Sequence, residues 1–293
     1  MILVIGAGAW GSAIYETIKE KERCFITSRK KRDINGFIDL EEGLKKSKYI
    51  IIAIASQSIR EFLKTVSLKD KKILVASKGI DNKELKFLNE IFEEYVDKNN
   101  LAFLSGPSFA KEVKEKKPTA LVIASKNEIL AKKFKSFFPS FIKIYIDDDI
   151  EGVEISGAYK NVIAIASGIC EGLNLGNNAK ASLLARGLVE MSRFGEFFGA
   201  KKDTFLSVAG AGDLFLTANS AMSRNYRVGL NLAKGKILDD ILVELGEVAE
   251  GVYTTKAIYK LSQKYNVYTP IANEVYKILY ENKKPIDSLK DLL

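Results

Sequence analysis

The chain has 293 residues, of which 47% are hydrophobic and 28% are charged, which is the composition of a globular protein and not of a disordered one. At about 150 residues per domain, this length predicts about two domains. The formal net charge is +8, but no basic stretch is interleaved with aromatic residues, so we expect no nucleic-acid partner. Histidine is absent. Its absence excludes Ser–His–Asp triads, Cys–His pairs and His-ligated zinc, and leaves proton transfer to Lys, Asp, Glu, Tyr or Cys.

Signals for membrane insertion, export and disulfide formation are missing from the sequence. No apolar run approaches the roughly 20 residues that a membrane span needs. The chain leads directly into a strand-like run without the basic segment and cleavage site of a signal peptide. Cys24 and Cys170 are the only cysteines, too few for a disulfide framework and too isolated for a zinc knuckle. We therefore predict a cytoplasmic protein that inserts into no membrane and binds no metal.

The first half of the chain alternates short apolar runs with segments of helical spacing. Strands are predicted over residues 2–5, 24–27, 49–54, 72–76, 101–104, 120–124 and 142–146. These runs are apolar throughout, as expected for strands buried on both faces of a parallel sheet. Helices are predicted near Trp10, behind the N-cap residues Asp81 and Asn82, and over residues 127–138. This alternation predicts a doubly wound α/β domain.

Beyond about Asp149 the strand pattern stops and helical spacing continues alone. Helices are predicted over residues 151–172, 179–198, 225–232, 254–265 and 270–280. The last of these has Thr269 at its N-cap and Pro270 at its first position, where the fixed φ of proline suits a helix. The acidic run 147–149 is the predicted seam between a dinucleotide-binding domain over residues 1–149 and a helical domain over residues 150–293.

Residues 6–11 read Gly-Ala-Gly-Ala-Trp-Gly, a complete G-x-G-x-x-G motif between a predicted strand and a predicted helix. In this context Gly6 permits a tight turn, Gly8 lets the backbone approach a pyrophosphate, and Gly11 lets the helix pack on the sheet. The helix N-terminus adds hydrogen-bond donors and partial positive charge. The motif predicts a dinucleotide site, and the plainer alternative is a glycine-rich turn without a ligand.

The end of the second predicted strand bears on which dinucleotide binds. An NAD-specific site normally has Asp or Glu here for the ribose 2′-hydroxyl, but this chain continues with Ser28, Arg29, Lys30, Lys31 and Arg32. Small hydroxyl groups and basic side chains suit a 2′-phosphate, so the sequence favours NADP(H). Use of NAD(H) at lower affinity stays open, as does a merely solvated loop.

Lys160 is the first candidate for proton transfer. It lies within a predicted helix of apolar and small residues, next to Asn161, and apolar surroundings lower the pKa of a lysine. To reach a value near 7 from the ordinary lysine value of ~10.4, this pKa must fall by about 3 units. A bound phosphate would oppose the shift and favour the ammonium, which suits a general acid. The alternative is a structural lysine that reaches the surface from its helix.

A later segment has the residue types of a phosphate site. Ser223 is a predicted N-cap for a helix whose first turn presents Arg224 and Asn225. A helix N-terminus with an arginine binds phosphate readily. The alternative is a capped surface helix whose arginine has no ligand.

Three loops add candidate polar groups. Asp213 follows the glycine turn 210–212, which we expect to expose it near Lys160. Residues 77–79 and 105–110 each follow a predicted strand directly. In an open α/β sheet ligands bind at the carboxyl ends of the strands, so both segments are candidate ligand contacts.

Seven motifs occur in the order found in one enzyme family: GAGAWGSA, SKGI, SGPSFAKEV, GAYKNVIAIASG, GAGDLFLT, SRNYRVG and AEGVYTT. From its start to about residue 255 the chain resembles the bacterial NAD(P)-dependent glycerol-3-phosphate dehydrogenases. The resemblance implies a Rossmann-type doubly wound sheet followed by an all-α substrate-binding and catalytic domain of the 6-phosphogluconate dehydrogenase C-terminal type. It also implies the reversible NAD(P)H-dependent reduction of dihydroxyacetone phosphate to sn-glycerol 3-phosphate, which supplies glycerophospholipid synthesis. The partner is then a small phosphorylated substrate.

The resemblance also implies roles for single residues. Lys160 matches the catalytic acid/base of the family, with Asn161 beside it and Asp213 orienting it. Substrate contacts are implied for Lys78, Gly106, Ser108, Lys160, Asp213, Ser223, Arg224 and Asn225. Besides Gly6, Gly8 and Gly11, cofactor contacts are implied for Trp10, Arg29, Lys78, Ala110, Arg224, Val248 and Glu250.

The chain departs from the family in residues 54–57 (Ile-Ala-Ser-Gln), where the family usually has a proline, so the conformation of this loop stays open.

Two other functions stay open as well. One is a related two-domain reductase of a small keto or hydroxy acid, of the ketopantoate or 3-hydroxyacid type, against which the residues 223–225 argue. The other is a non-catalytic NADP-binding sensor of nucleic acid. The patterns do not determine the oligomeric state, and a homodimer is compatible with them.

Overall fold

A computed structural model describes residues 1–292, and the first half of the protein is built around one sheet. The strands are β1 (Ile2–Ile5), β2 (Cys24–Thr27), β3 (Tyr49–Ile52), β4 (Lys72–Val75), β5 (Leu101–Ser105), β6 (Thr119–Ala124) and β7 (Ile142–Asp147). All the predicted strands are confirmed, with ends that differ by at most two residues. Their apolar side chains belong to two separate core clusters, which is why the runs are apolar throughout.

The strand order brings three loops together at one edge of the sheet. Within the described residues the order is β2-β1-β3-β4-β5-β6-β7, and neighbours are parallel except β5 and β6. The chain runs outward from β1 to β2 and then returns to the other side of β1 to form β3. Ligands of open α/β sheets bind where the connections diverge in this way. Ile5 is paired with Thr27 on one side and with Ile52 on the other, so the loops after β1, β2 and β3 are neighbours.

The helices of this half are α1 (Ala9–Ile18), α2 (Leu40–Lys46), α3 (Ile59–Thr65), α4 (Leu88–Glu93), α5 (Ala110–Lys114) and α6 (Glu128–Lys135). The predicted helix near Trp10 is confirmed as α1. Asn127 caps α6 because its Oδ1 accepts from the Leu130 N–H at 3.1 Å. This helix ends at Lys135, three residues earlier than predicted.

The predicted helix start at Asp81 and Asn82 is wrong. The Asp81 carboxylate accepts from the Glu84 N–H at 2.8 Å, and the Asp81 N–H donates to the Lys86 carbonyl at 3.0 Å. These bonds close a turn, and α4 begins only at Leu88. Asp and Asn stabilise turns as well as helix N-termini, so their presence alone does not distinguish the two structures.

The second half consists of α7 (Ile150–Gly172), α8 (Gly176–Phe197), α9 (Lys202–Leu206), α10 (Asp213–Ala218), α11 (Arg224–Ala233), α12 (Leu238–Leu245), α13 (Glu250–Tyr265), α14 (Pro270–Tyr280) and α15 (Pro285–Leu292). The five predicted helices are confirmed, with starts up to four residues earlier than predicted. The sequence patterns do not reveal α9, α10, α12 and α15, which have eight residues or fewer and so show few helical repeats. Thr269 precedes α14 as predicted, but its hydroxyl bonds to Asn273 Oδ1 at 3.1 Å and caps no backbone N–H.

The two halves meet along the first turn of α7. Ile150 and Val153 pack in the same apolar cluster as residues of the sheet, and Asp149 caps the helix with its carboxylate. α7 is buried along most of its length, and it carries its central residues from the sheet into the helical half. A sheet followed by an all-α half confirms the predicted fold class. The boundary between residues 149 and 150 stays a prediction. Among residues 1–292, no helix combines the length and hydropathy needed to cross a bilayer.

Candidate active site

A buried lysine lies in the middle of α7. Lys160 is 7% exposed, and its Nζ donates to Asp213 Oδ1 and, at 2.9 Å, to Thr217 Oγ1. Asp213 and Thr217 are four residues apart on α10, so one face of this helix supplies both partners. The sequence patterns did not single out Thr217, and its spacing from Asp213 is the signal that could have found it.

A second lysine reaches the same carboxylate from the sheet. Lys78 follows β4, and its Nζ donates to Asp213 Oδ2 at 2.7 Å and to the Gly106 carbonyl at 3.3 Å. The stem of Lys78 passes over Gly157 of α7, where a Cβ would lie 3.3 Å from Lys78 Cδ. Each oxygen of one carboxylate therefore holds one ammonium, and the two ammonium groups come from the two halves of the molecule. We refer to Lys160, Asp213 and Lys78 as the Lys–Asp–Lys cluster.

The protonation of this cluster follows from its burial. Desolvation, reinforced by Lys78 and opposed by Asp213, lowers the pKa of Lys160 to about 7. Desolvation acts in the opposite direction on Asp213, but the two ammonium groups outweigh it and hold the pKa of this carboxyl below its ordinary value. Near neutral pH the cluster therefore contains an ionised carboxylate and a lysine that can both donate and accept a proton.

Asp213 is buried, although its glycine turn led us to expect exposure. Its exposed fraction is 1%, because residues Val208–Gly212 form a π-helical turn that runs directly into α10. A Cβ on Gly210 would lie 2.2 Å from the Phe205 carbonyl oxygen, so this glycine serves close packing. The turn directs the carboxylate toward Lys160 and away from solvent.

Two asparagine side chains extend the polar lining. Asn225 Oδ1 accepts from the Gly251 N–H at 2.9 Å, which fixes the orientation of this amide, and Asn225 Nδ2 then donates to Asn161 Oδ1 at 2.9 Å. Asn161 Nδ2 donates in turn to the Gly157 carbonyl at 3.2 Å. Both amides are buried and oriented by backbone groups, so the directions of their other N–H bonds are fixed as well.

Residues 223–225, which have the residue types of a phosphate site, stand at the N-terminus of α11. Ser223 Oγ accepts from the Tyr226 N–H at 3.2 Å, as predicted for an N-cap. The Arg224 side chain is 40% exposed, and its Nη1 lies 3.3 Å from Glu247 Oε2. Exposed ion pairs contribute little free energy in water. The guanidinium can therefore exchange this carboxylate for an incoming anion.

The glycine turn after β1 has the geometry that a dinucleotide requires. A Cβ on Gly11 would lie 1.9 Å from the Gly6 carbonyl oxygen, so α1 packs directly on the turn, whereas a Cβ on Gly8 would meet no atom of the described residues within 4 Å. Among the described residues no side chain caps α1, and its first turn contains no acidic residue. Trp10 Nε1 is buried and has no hydrogen-bond partner among residues 1–292. The backbone N–H groups at this turn thus fit a pyrophosphate.

The basic segment after β2 lies beside this turn and is open to solvent. Arg29, Lys30, Lys31 and Arg32 are all exposed, and Ser28 Oγ donates to the Lys30 carbonyl at 2.7 Å. Because β1 and β2 are parallel neighbours in register, the segment and the glycine turn lie at the same edge of the sheet.

Known proteins match the chain along its whole length. Models of the N-terminus and C-terminus of NAD-dependent glycerol-3-phosphate dehydrogenase match residues 31–131 and 149–290. The glycerol-3-phosphate dehydrogenases (NAD(P)+) of Campylobacter lari and Nitratiruptor sp. are 58% and 56% identical to it, over 100% and 99% of this chain and 97% of each relative. The chain belongs to the NAD(P)-dependent glycerol-3-phosphate dehydrogenase family. The crystal structure of glycerol-3-phosphate dehydrogenase from Coxiella burnetii, 31% identical, superposes with a TM-score of 0.92 over 99% of this chain and 98% of that one.

In this member of the glycerol-3-phosphate dehydrogenase family, the other predicted contacts are Gly106 and Ser108 after β5, Ala110 at the start of α5, and Val248 in the helical half. Gly106 follows β5 with a φ of 124°, and Ser108 Oγ donates to its carbonyl at 2.9 Å. Ala110 begins α5 and packs against the same apolar cluster as Trp10. Val248 is 43% exposed and lies in the segment between α12 and α13.

The loop after β3 contacts the start of α13. Ser56 donates to the Glu250 carboxylate twice, from its N–H at 3.0 Å and from its Oγ at 2.6 Å. Burial, opposed by these bonds, raises the pKa of Glu250. The sequence patterns do not reveal Ser56 as a site residue, since its partner is 194 positions away. Ala55 has a φ of −60°, within the range of proline. The loop thus has a proline-compatible conformation, although the usual proline of the family is missing from residues 54–57.

The predicted site residues fall into groups by their contacts. Hydrogen bonds join Lys160, Asp213, Lys78 and Gly106 in one group, and a separate hydrogen bond joins Asn161 with Asn225. Ser223 and Arg224 adjoin this group at the start of α11. Gly6, Gly8, Trp10 and Gly11 form the turn and first residues of α1. Arg29 and Val248 are exposed and lie outside these groups.

Proposed function

We propose that the protein catalyses the reversible NAD(P)H-dependent reduction of dihydroxyacetone phosphate to sn-glycerol 3-phosphate, and that this reaction supplies glycerophospholipid synthesis. The observation that carries the proposal is the Lys–Asp–Lys cluster, which holds a buried lysine with a pKa near neutrality. Lys78 of this cluster lies in the loop after β4, and β4 is two strands away from β1, which precedes the glycine turn. The family membership supports the same reaction.

The glycine turn and the first residues of α1 would hold the dinucleotide, with Trp10, Ala110, Val248 and Glu250 as further contacts and with Lys78 and Arg224 between cofactor and substrate. When bound, this cofactor supplies the hydride that the ketone needs. We infer a preference for NADP(H), with weaker use of NAD(H), because Arg29 and the three basic residues after it replace the acid typical of NAD sites.

Lys160 would carry the proton in both directions. As the ketone becomes an alkoxide, the ammonium of Lys160 donates a proton to that oxygen, and in the reverse reaction the neutral amine accepts the proton of the alcohol. Asp213 holds the amine in place and favours its charged form. Lys78 and the N–H groups of Asn161 complete the polar pocket around the oxygen.

Arg224, Asn225 and the start of α11 would bind the substrate phosphate. The exposed guanidinium of Arg224 leaves Glu247 and pairs with the phosphate. Ser223 keeps its oxygen on the Tyr226 N–H and so holds the helix start in position. Binding energy from this remote group places the carbonyl against the reacting centre.

The test is the loss of NADPH absorbance when dihydroxyacetone phosphate is added to purified protein, with NADH in parallel. We expect oxidation that depends on the phosphate, so dihydroxyacetone without phosphate is the matched control. Equal turnover of both ketones, or better turnover of an unphosphorylated keto acid, would overturn the substrate assignment. The ratio of the NADPH and NADH rates measures the cofactor preference.

We also propose a cytoplasmic location, with a small phosphorylated molecule as partner and neither nucleic acid nor a membrane. A homodimer is compatible with this proposal. Size-exclusion chromatography with light scattering measures the oligomeric state, and fractionation of cells measures the location.

A further inference from the structure

A chain of hydrogen bonds connects α13 with the loop that carries Lys78. It begins at Glu250, whose carboxylate accepts twice from Ser56. Ser56 Oγ also accepts from Gln57 Nε2 at 3.2 Å. Gln57 stands in the short turn after β3 and belongs to none of the groups assigned above.

The Gln57 amide forms hydrogen bonds to the next loop through both its nitrogen and its oxygen. Its Nε2 donates to the Ile80 carbonyl at 2.7 Å, and its Oε1 accepts from the Asn82 N–H at 3.2 Å. A carboxylate or a hydrocarbon could not make both bonds, because one partner accepts and the other donates. Gln57 is therefore suited to hold residues 80–82 in one position.

The loop that is held in this way begins with Lys78. A Cβ on Gly79 would lie 2.4 Å from Ser56 Oγ and 3.2 Å from Glu250 Oε2, so the loop passes directly against the Ser56–Glu250 pair. At its start Lys78 reaches Asp213 and Gly106. The Ser56–Glu250 pair and the Lys78 ammonium are therefore connected through direct contacts along one loop.

We propose that Gln57 is a positioning residue that couples the dinucleotide site to the substrate site. It acts through Ser56 and Glu250 on one side and through the Lys78 loop on the other. The proposal rests on the proposed function, in which Glu250 contacts the cofactor and Lys78 the substrate. A dinucleotide that orders Glu250 then tightens substrate binding, and by reciprocity the substrate tightens dinucleotide binding by the same factor.

The experiment measures this factor without turnover, using NADP+ and dihydroxyacetone phosphate, a pair that cannot react because both are oxidised. The Kd of NADP+ is measured by calorimetry with and without saturating ketone. In the wild-type protein we expect the ketone to tighten NADP+ binding by about fivefold or more. In Gln57→Ala we expect this factor to approach one, while the Kd of NADP+ alone changes less than about twofold.

Steady-state kinetics give a second measurement. We expect Gln57→Ala to raise the KM for dihydroxyacetone phosphate about tenfold and to lower kcat less. Gln57→Glu keeps the acceptor for Asn82 but loses the donor to Ile80, so it should reproduce the loss of coupling if Gln57→Ala does not fold. The matched control is Asn127→Ala. Asn127 also bonds two backbone groups, the Asn99 carbonyl at 2.8 Å and the Leu130 N–H at 3.1 Å, but in the part of the sheet that carries α6.

The outcomes separate the two proposals. A wild-type protein that does not oxidise NADPH with dihydroxyacetone phosphate contradicts the proposed function. A wild-type coupling factor of one, or Gln57 variants that keep both the factor and the KM, overturns the role of Gln57 while the reaction stands. An equal loss of coupling in Asn127→Ala would show that lowered stability is the cause, and would overturn it too.

Discussion

Two groups of basic side chains differ in their surroundings, because one group is paired with a buried carboxylate and the other is exposed to solvent. Lys78 and Lys160 share the buried carboxylate of Asp213. The basic residues from Arg29 to Arg32 are exposed. The difference shows that the residue type alone does not assign a role to a positive charge. Burial and fixed partners make it suitable for proton transfer, whereas exposure makes it suitable for attracting a phosphate.

The physical reason lies in the solvent. Water and salt screen exposed charges over about 10 Å, so the four basic residues after β2 attract an anion without fixing its geometry. In the cluster, desolvation penalises the ammonium of Lys160, and the carboxylate of Asp213 is the group that favours its charged form. The pKa of Lys160 therefore depends on Asp213 and Lys78. Four tests of this comparison follow, from the largest expected effect to the smallest.

Lys160→Ala should give the largest effect. We expect kcat to fall about 100-fold or more because the proposed proton donor is lost, with NADPH binding nearly intact. Steady-state kinetics and calorimetry measure the two quantities. Lys71→Ala is the control, since Lys71 Nζ also donates twice, to the carbonyls of Leu44 and Ser47, but just before β4 at the opposite edge of the sheet. Unchanged turnover in Lys160→Ala would remove this residue from the reaction.

The pH dependence tests the coupling inside the cluster. In the proposed mechanism reduction needs the charged form of Lys160, so kcat/KM for reduction should fall as the pH rises through about 7, and kcat/KM for oxidation should rise over the same interval. Asp213→Asn removes the carboxylate that favours the ammonium. The pKa of Lys160 should then be lower, and the fall in reduction should begin at lower pH. If the pH profile of Asp213→Asn is the same as that of the wild-type protein, the assignment of the transition near pH 7 to Lys160 is contradicted.

Arg29→Ala tests the exposed group. We expect the KM for NADPH to rise about three- to tenfold and the KM for NADH to change little, with an effect that shrinks at high salt. Arg23→Ala is the matched control because Arg23 lies just before β2, at the opposite end of this strand. The same change in the KM for NADPH in both variants, or equal changes in KM for both cofactors, would show that Arg29 does not bind the 2′-phosphate.

Ala55→Pro tests the loop that adjoins the buried group and should have the smallest effect. The φ of Ala55 suits proline, and among residues 1–292 no backbone hydrogen bond starts from the Ala55 N–H. We expect the free energy of unfolding to rise by about 0.4–1 kcal/mol through a less flexible unfolded chain. Urea unfolding measures it. Ala131→Pro, inside α6, is the contrasting variant and should destabilise by about 3 kcal/mol. A less stable Ala55→Pro protein would mean that this loop differs from that of the family.

Parts of the site could be predicted because their chemistry is local. The glycine turn is recognisable since strand, turn and helix follow one another within residues 2–18. Lys160 stands out because it is a charged residue in an apolar helix, and Ser223 because a hydroxyl precedes a helix. The Asp81 helix start failed for the same reason, since local residue types suit both a cap and a turn.

The amino-acid sequence by itself determined the order of the strands and of the helices longer than eight residues, the glycine turn and the family, because apolar runs and short motifs depend on neighbours along the chain. Only the tertiary structure decided which polar groups are buried together. The sharing of Asp213 by Lys160 and Lys78 joins residues 53 and 135 positions apart, and Ser56 meets Glu250 across 194 positions. Desolvation and pKa depend on what surrounds a group in space, and the folded chain alone sets those surroundings.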